Sequence, residues 1–172
     1  MKGVRSMDDD IIKALRGMNR EHFRDLWIKA KKNDMKDVTD EEKSIMKVML
    51  EHEDEYFNEF ENADLMGDRE FDPETEENPF MHITMHSVVE NQLKDRDPIE
   101  VYQFYNAMRK KKCSHHETIH MIGAVFAYLL YSVLKYHVPF DLERYKSILK
   151  KYKNRKPYKV YEILDEEPEV PS

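Results

Sequence analysis

The stretch Ser114–Leu134, SHHETIHMIGAVFAYLLYSVL, constrains the fold more than any other part of the chain, because it joins a dense histidine cluster to a long apolar run. Ser114 at an N-cap accepts from the backbone N–H of Glu117 while the Glu117 carboxylate reaches back, so S-H-H-E reads as a capping box that starts a helix there. Beyond His120 nearly every side chain is apolar. Gly123, Ala124 and Ala127 are small enough for close helix approach, so the helix is expected at the centre of others, over 114–137. The apolar part, Met121–Leu134, is shorter than the ~20 residues that a bilayer demands, and tyrosines and Ser132 interrupt it. A core helix is expected rather than a membrane span.

The rest of the composition agrees with helices. Only four glycines occur in 172 residues, which argues against many tight hairpins. The expected class is all-α, a compact helical bundle of about six helices: a single domain over 8–155, then a mostly extended tail over 156–172 with prolines and acidic residues. This length buries a core without staples. The net charge of −7 gives no general attraction for polyanions. A lone cysteine, Cys113, and an N-terminus without the features of a secretion signal lead to the expectation of a reducing, cytoplasmic setting.

Taken in order, Ile11 to Lys32 shows helical spacing of Ile11, Leu15, Phe23, Leu26 and Trp27. Thr39 and Glu42 form a second capping box, opening a helix to about Phe60 whose expected core face includes Ile45, Met46, Met49, Leu50, Tyr56, Phe57 and Phe60. From Glu61 to Asn78 the periodicity lapses, and this stretch reads as a packed crossover. Asn78 then caps a helix whose first residue is Pro79, where a missing N–H costs nothing. Asp97 and Pro98 start another to about Lys111. Asp141 caps a last one to about Tyr152.

On the helix opened by Pro79, His82, His86 and Glu90 stand at i, i+4 and i+8, one stripe of the surface. His116 and His120 repeat the i, i+4 spacing that lets two imidazoles converge on an ion. The expected metal ligands are therefore His82, His86, Glu90, His116 and His120, gathered where the two helices pack. Nitrogen and carboxylate donors without thiolate lead to a divalent metal, zinc or iron above all. The bland alternative is that these histidines pair with carboxylates and water near helix starts. His52 is the one further imidazole nominated from the second helix, beside a glutamate-rich face expected to be solvated.

H-E-T-I-H at His116–His120 also fits the zinc-peptidase pattern, with Glu117 as base. Glu117, however, is expected to serve the capping box, and the chain offers no convincing strand to align a peptide. A different class of function rests on residues 144–159, which contain eight Lys or Arg and no acid, interleaved with tyrosines. Such a segment can bind RNA or an acidic protein partner, although a solvated helix face is its commoner meaning. No small-molecule or protein partner is specified, and no membrane partner is expected.

The chain resembles an uncharacterised bacterial family catalogued as domain of unknown function 1841. The likeness runs from about Glu21 to Leu134. It is carried by E-H-F-R-D-L-W, the L-E-H around His52, N-P-F-M-H-I-T-M-H with Glu90, and the H-x-x-x-H of His116 and His120. The resemblance implies a helical protein with a metal site at these histidines and brings no reaction with it.

Overall fold

A computed structural model describes residues 19–67, 69–72 and 75–166. Seven α-helices and two short 3-10 helices make up these residues, and no strand occurs among them, so the protein is all-α. The chain divides into two compact units, one from Ile11–Ser87 and one containing Val88–Ser172.

In the first unit α1 (Arg20–Lys32) begins at Asn19, whose side chain accepts from the N–H groups of Glu21 and His22, and ends at Asn33 in the left-handed conformation. The part of the expected helix that precedes Asn19, with Gly17, lies outside the described residues. The Thr39–Glu42 capping box opens α2 (Asp40–Glu51), as its sequence predicts. The helix expected to continue to Phe60 instead breaks at His52, with φ −109° and ψ 16°, and resumes as α3 (Glu53–Glu61). Like charges at Glu51 and Glu55 stand at i, i+4, which disfavours an unbroken helix. After the break Glu53, Asp54 and Glu55 occupy a first turn, where the helix dipole favours them. This extra break raises the count above the six expected helices.

The core of this unit is aromatic. Phe23, Leu26 and Trp27 of α1 pack with Met46 and Met49 of α2, Phe60 of α3, and Phe80 and Ile83 of α4 (Pro79–Asp95). The Trp27 indole donates to Glu61 at 2.7 Å, so its one polar atom is satisfied. Leu50 and Phe57, expected on the core face, are exposed. Phe57 follows the break at His52, which changes the helical phase between it and the buried positions of α2. The crossover after α3 packs as expected: Met66 and Phe71 lie against the core, and the Arg20 guanidinium sits 4.3 Å from the Phe80 ring centroid. The 3-10 turn Ala63–Leu65 buries Ala63 and leaves Leu65 in solvent.

In the second unit α5 (Ile99–Lys110), α6 (His115–Tyr136), α7 (Leu142–Tyr152) and a 3-10 helix (Lys159–Asp165) pack together. The helix start at Ser114 is the predicted capping box, and His137 ends α6 in the left-handed conformation. By length and composition alone α6 could cross a membrane, but 56% of its most apolar window is buried inside the protein. Phe126 of α6 stacks on Phe140 at 4.8 Å and meets Tyr145 edge-on at 5.7 Å. The buried Tyr145 hydroxyl donates to Gln92 at 2.8 Å. The segment from Lys159 to Asp165 is 3-10 helix rather than extended, because Val160 and Ile163, three apart, turn inward together. Residues 167–172 of the tail lie outside the described residues.

Candidate metal centre

Two features of local folding bring three histidines together in the first unit. The break between α2 and α3 makes His52 the residue that ends one helix and starts the next, and its side chain is 1% exposed. Asn78 accepts from the N–H groups of Phe80 and Met81 and so fixes the start of α4, which carries His82 in its first turn and His86 one turn later. The Nε2 atoms of His82 and His52 are 3.1 Å apart, and those of His86 and His82 are 3.2 Å apart. The ring centroids form a triangle of 4.8, 4.8 and 5.0 Å.

What lies behind two of these rings decides which nitrogens carry hydrogen. His52 Nδ1 is 2.9 Å from the Val48 carbonyl and His82 Nδ1 is 2.7 Å from the Glu77 carboxylate. A carbonyl and an ionised carboxylate only accept, so both Nδ1 atoms donate, and in a neutral imidazole the Nε2 atom is then a bare lone pair. Two such lone pairs at 3.1 Å repel unless a cation lies between them. Burial pushes His82 below the ordinary imidazole pKa, with Glu77 pulling the other way, which disfavours a proton as that cation. Two nitrogens bound to one ion at ~2.0–2.1 Å lie about 3.3–3.4 Å apart at tetrahedral angles and about 2.8–3.0 Å apart at right angles. The separations of 3.1 and 3.2 Å fall between these limits. The donor atoms of the three residues all lie within 4.8 Å of one another.

The other expected ligands belong to the second unit. Glu90 receives the His115 Nε2–H at 2.6 Å, and His115 Nδ1 in turn accepts from the Tyr105 hydroxyl at 2.8 Å. Its carboxylate is thus engaged by a histidine to which the sequence reading gave no role. His116 and His120 lie side by side on α6, with ring centroids 4.2 Å apart. Glu117 is held through both oxygens: the Ser114 N–H donates to Oε2 at 2.7 Å and the Tyr158 hydroxyl to Oε1 at 2.6 Å. These bonds, Tyr158 first, pull Glu117 down to about 2, while Tyr158 is pushed up to about 12. A carboxylate with so little affinity for a proton is a poor general base for water, so the arrangement does not fit a peptidase.

The basic segment is largely occupied within its own unit. Lys146 pairs with Glu143 at 3.0 Å, Lys150 with Glu100 at 3.2 Å, Lys159 with Glu162, and Arg144 donates to the Tyr128 hydroxyl at 3.2 Å. Cys113 is buried, and burial raises its thiol pKa despite the cationic residues before it. It is a packing residue rather than a reactive thiol.

Sequence reasoning nominated His52 but missed Glu77 and the Val48 carbonyl. No periodicity marks a loop carboxylate as the partner of His82. Comparison with curated proteins and with solved structures gives no match. The family model described as Domain of unknown function (DUF1841) matches residues 16–151, a span that contains His52, His82, His86 and the loop that supplies Glu77, and the chain belongs to that family.

Proposed function

We propose that the protein binds a divalent first-row metal, zinc or iron, through the Nε2 atoms of His52, His82 and His86. The observation that carries this reading is the pair of Nε2–Nε2 separations, 3.1 and 3.2 Å, between imidazoles of which two have Nδ1 committed to acceptors. Fixing one ring nitrogen against a carbonyl or carboxylate is the usual way a protein orients a metal-binding histidine. Zinc asks for four ligands, or three and a water, and three imidazoles meet the second form. Without a nearby thiolate, nitrogen donors favour zinc and iron over cuprous copper. The lone buried cysteine agrees with a reducing, cytoplasmic setting.

The test is metal content. Untagged protein, exchanged through chelator and reloaded with zinc or ferrous iron, is expected to retain about one ion per chain after gel filtration. Replacing His52 or His86 with Ala should lower that stoichiometry sharply. Replacing His22, which pairs with Glu42 at 3.4 Å, or the exposed His137 should leave it unchanged. Equal retention in all four variants, or none in the parent protein, would refute the reading.

A further inference from the structure

We propose that Glu90, His115 and Tyr105 form a catalytic relay of carboxylate, imidazole and hydroxyl, in which Tyr105 is the nucleophile for hydrolysis of activated acyl compounds, aryl esters or thioesters. All three residues belong to the second unit, and the proposal goes beyond the metal reading without depending on it.

The three side chains come from three helices. Glu90 stands on α4, Tyr105 on α5, and His115 is the first residue of α6, set there by the Ser114 cap. His115 Nε2 lies 2.6 Å from Glu90 Oε1, and its Nδ1 lies 2.8 Å from the Tyr105 hydroxyl. The carboxylate only accepts, so Nε2 carries the hydrogen, and a neutral imidazole then has its lone pair on Nδ1. That pair faces the phenol, whose ring meets the imidazole edge-on at 5.6 Å. A hydroxyl on one ring nitrogen and an orienting carboxylate on the other is the constellation by which a nucleophile and its base are recognised, whatever the fold. The site is open to solvent, with the His115 side chain 46% exposed and that of Glu90 33% exposed. Exposed polar pairs add little to stability. A hydroxyl held against a base at an open surface is, however, what an incoming substrate meets first.

In the acylation step the Tyr105 oxygen attacks the carbonyl carbon, and its proton passes to His115 Nδ1. The bond from that carbon to the leaving oxygen or sulfur breaks, and the leaving group takes the proton from Nδ1. Tyr105 is then an aryl ester. Water attacks the same carbon and gives a proton to Nδ1, the bond to the phenol oxygen breaks, and that oxygen recovers the proton. The net reaction consumes one water and yields a carboxylic acid and the free phenol or thiol of the leaving group. Glu90 is a positioning residue: it keeps hydrogen on Nε2 and stabilises the imidazolium that each step forms. The nucleophile sets the substrate class. A phenol, of ordinary pKa about 10, displaces leaving groups no more basic than itself, which admits aryl oxides and thiolates and excludes the amide nitrogen of a peptide.

The probe is p-nitrophenyl acetate, offered to the whole chain with and without chelator. Absorbance follows nitrophenolate release, and mass spectrometry of acid-quenched, digested protein locates the acetyl group. The parent is expected to release several nitrophenolates per chain, unaffected by chelator, and to carry acetyl on Tyr105 during turnover. Tyr105→Phe, which removes one oxygen, should lose both the adduct and the turnover. His115→Ala should slow acetylation of Tyr105 by about 100-fold, the lower end of what a positioned base contributes. Glu90→Leu should slow it by a smaller factor, lowering kcat with KM unchanged, while the nitrogen-15 shifts of His115 lose their preference for a proton on Nε2. His137→Ala, at an exposed histidine elsewhere, should change nothing. Acetyl absent from Tyr105 in the parent, equal acetylation of Tyr105 in the parent and His115→Ala, or release that stops at one nitrophenolate per chain would overturn the proposal. Release abolished by chelator and retained in Tyr105→Phe also overturns it, and assigns the hydrolysis to a metal bound at the histidines of the first unit.

Discussion

An imidazole offers a metal one lone pair, and what touches the other nitrogen decides where that pair points. In this protein the Val48 carbonyl and the Glu77 carboxylate settle the matter for His52 and His82, leaving Nε2 of each directed at the other. Glu117 shows the opposite use of a polar side chain. Both of its oxygens are consumed by Ser114 and Tyr158, and its chemistry is that of a cap. Because its pKa in the fold, about 2, is below the ordinary carboxylate value, it stabilises the native state above that ordinary value. The contribution falls away as pH drops from about 4.5 through about 2. Glu117→Gln should therefore lower the urea midpoint at pH 7, and the gap from the parent should narrow steadily on acidification. Urea titrations between pH 7 and pH 2 measure this, and a gap independent of pH would contradict it.

At the scale of elements, starts were legible and breaks were not. Thr39 with Glu42, Ser114 with Glu117, Asn78 before Pro79, and Asp141 each declare a helix within four residues, and the structure realises all of them. Ser114→Ala should accordingly cost about 1 kcal/mol, the usual value of a lost N-cap, with the midpoint of chemical unfolding as the measure. A change within experimental error would mean that tertiary packing alone holds this helix end. The break at His52 depends instead on competition between helix continuation and a buried imidazole whose partner stands 30 residues away. Periodicity reports which residues share a face of an intact helix, so it placed His82 beside His86 correctly and could not rank His52 with them. For the same reason it put Phe57, beyond the break, in the core. Glu90 lies on the stripe expected to coordinate, and His115, adjacent in sequence to His116, donates to its carboxylate.

For the whole molecule, the fold asks little of a metal. A chain of 172 residues with the aromatic core of its first unit and the buried α6 of its second has the means to fold without one. An ion bound at the histidines then adds stability by mass action, about 2.7 kcal/mol when its free concentration is a hundred times the dissociation constant. X-ray absorption of the zinc-loaded protein reads the coordination shell itself. The expected first shell is nitrogen or oxygen at ~2.0–2.1 Å with the outer-shell pattern of at least three imidazoles and no sulfur near ~2.3 Å. A shell of oxygens alone, or one containing sulfur, would contradict it.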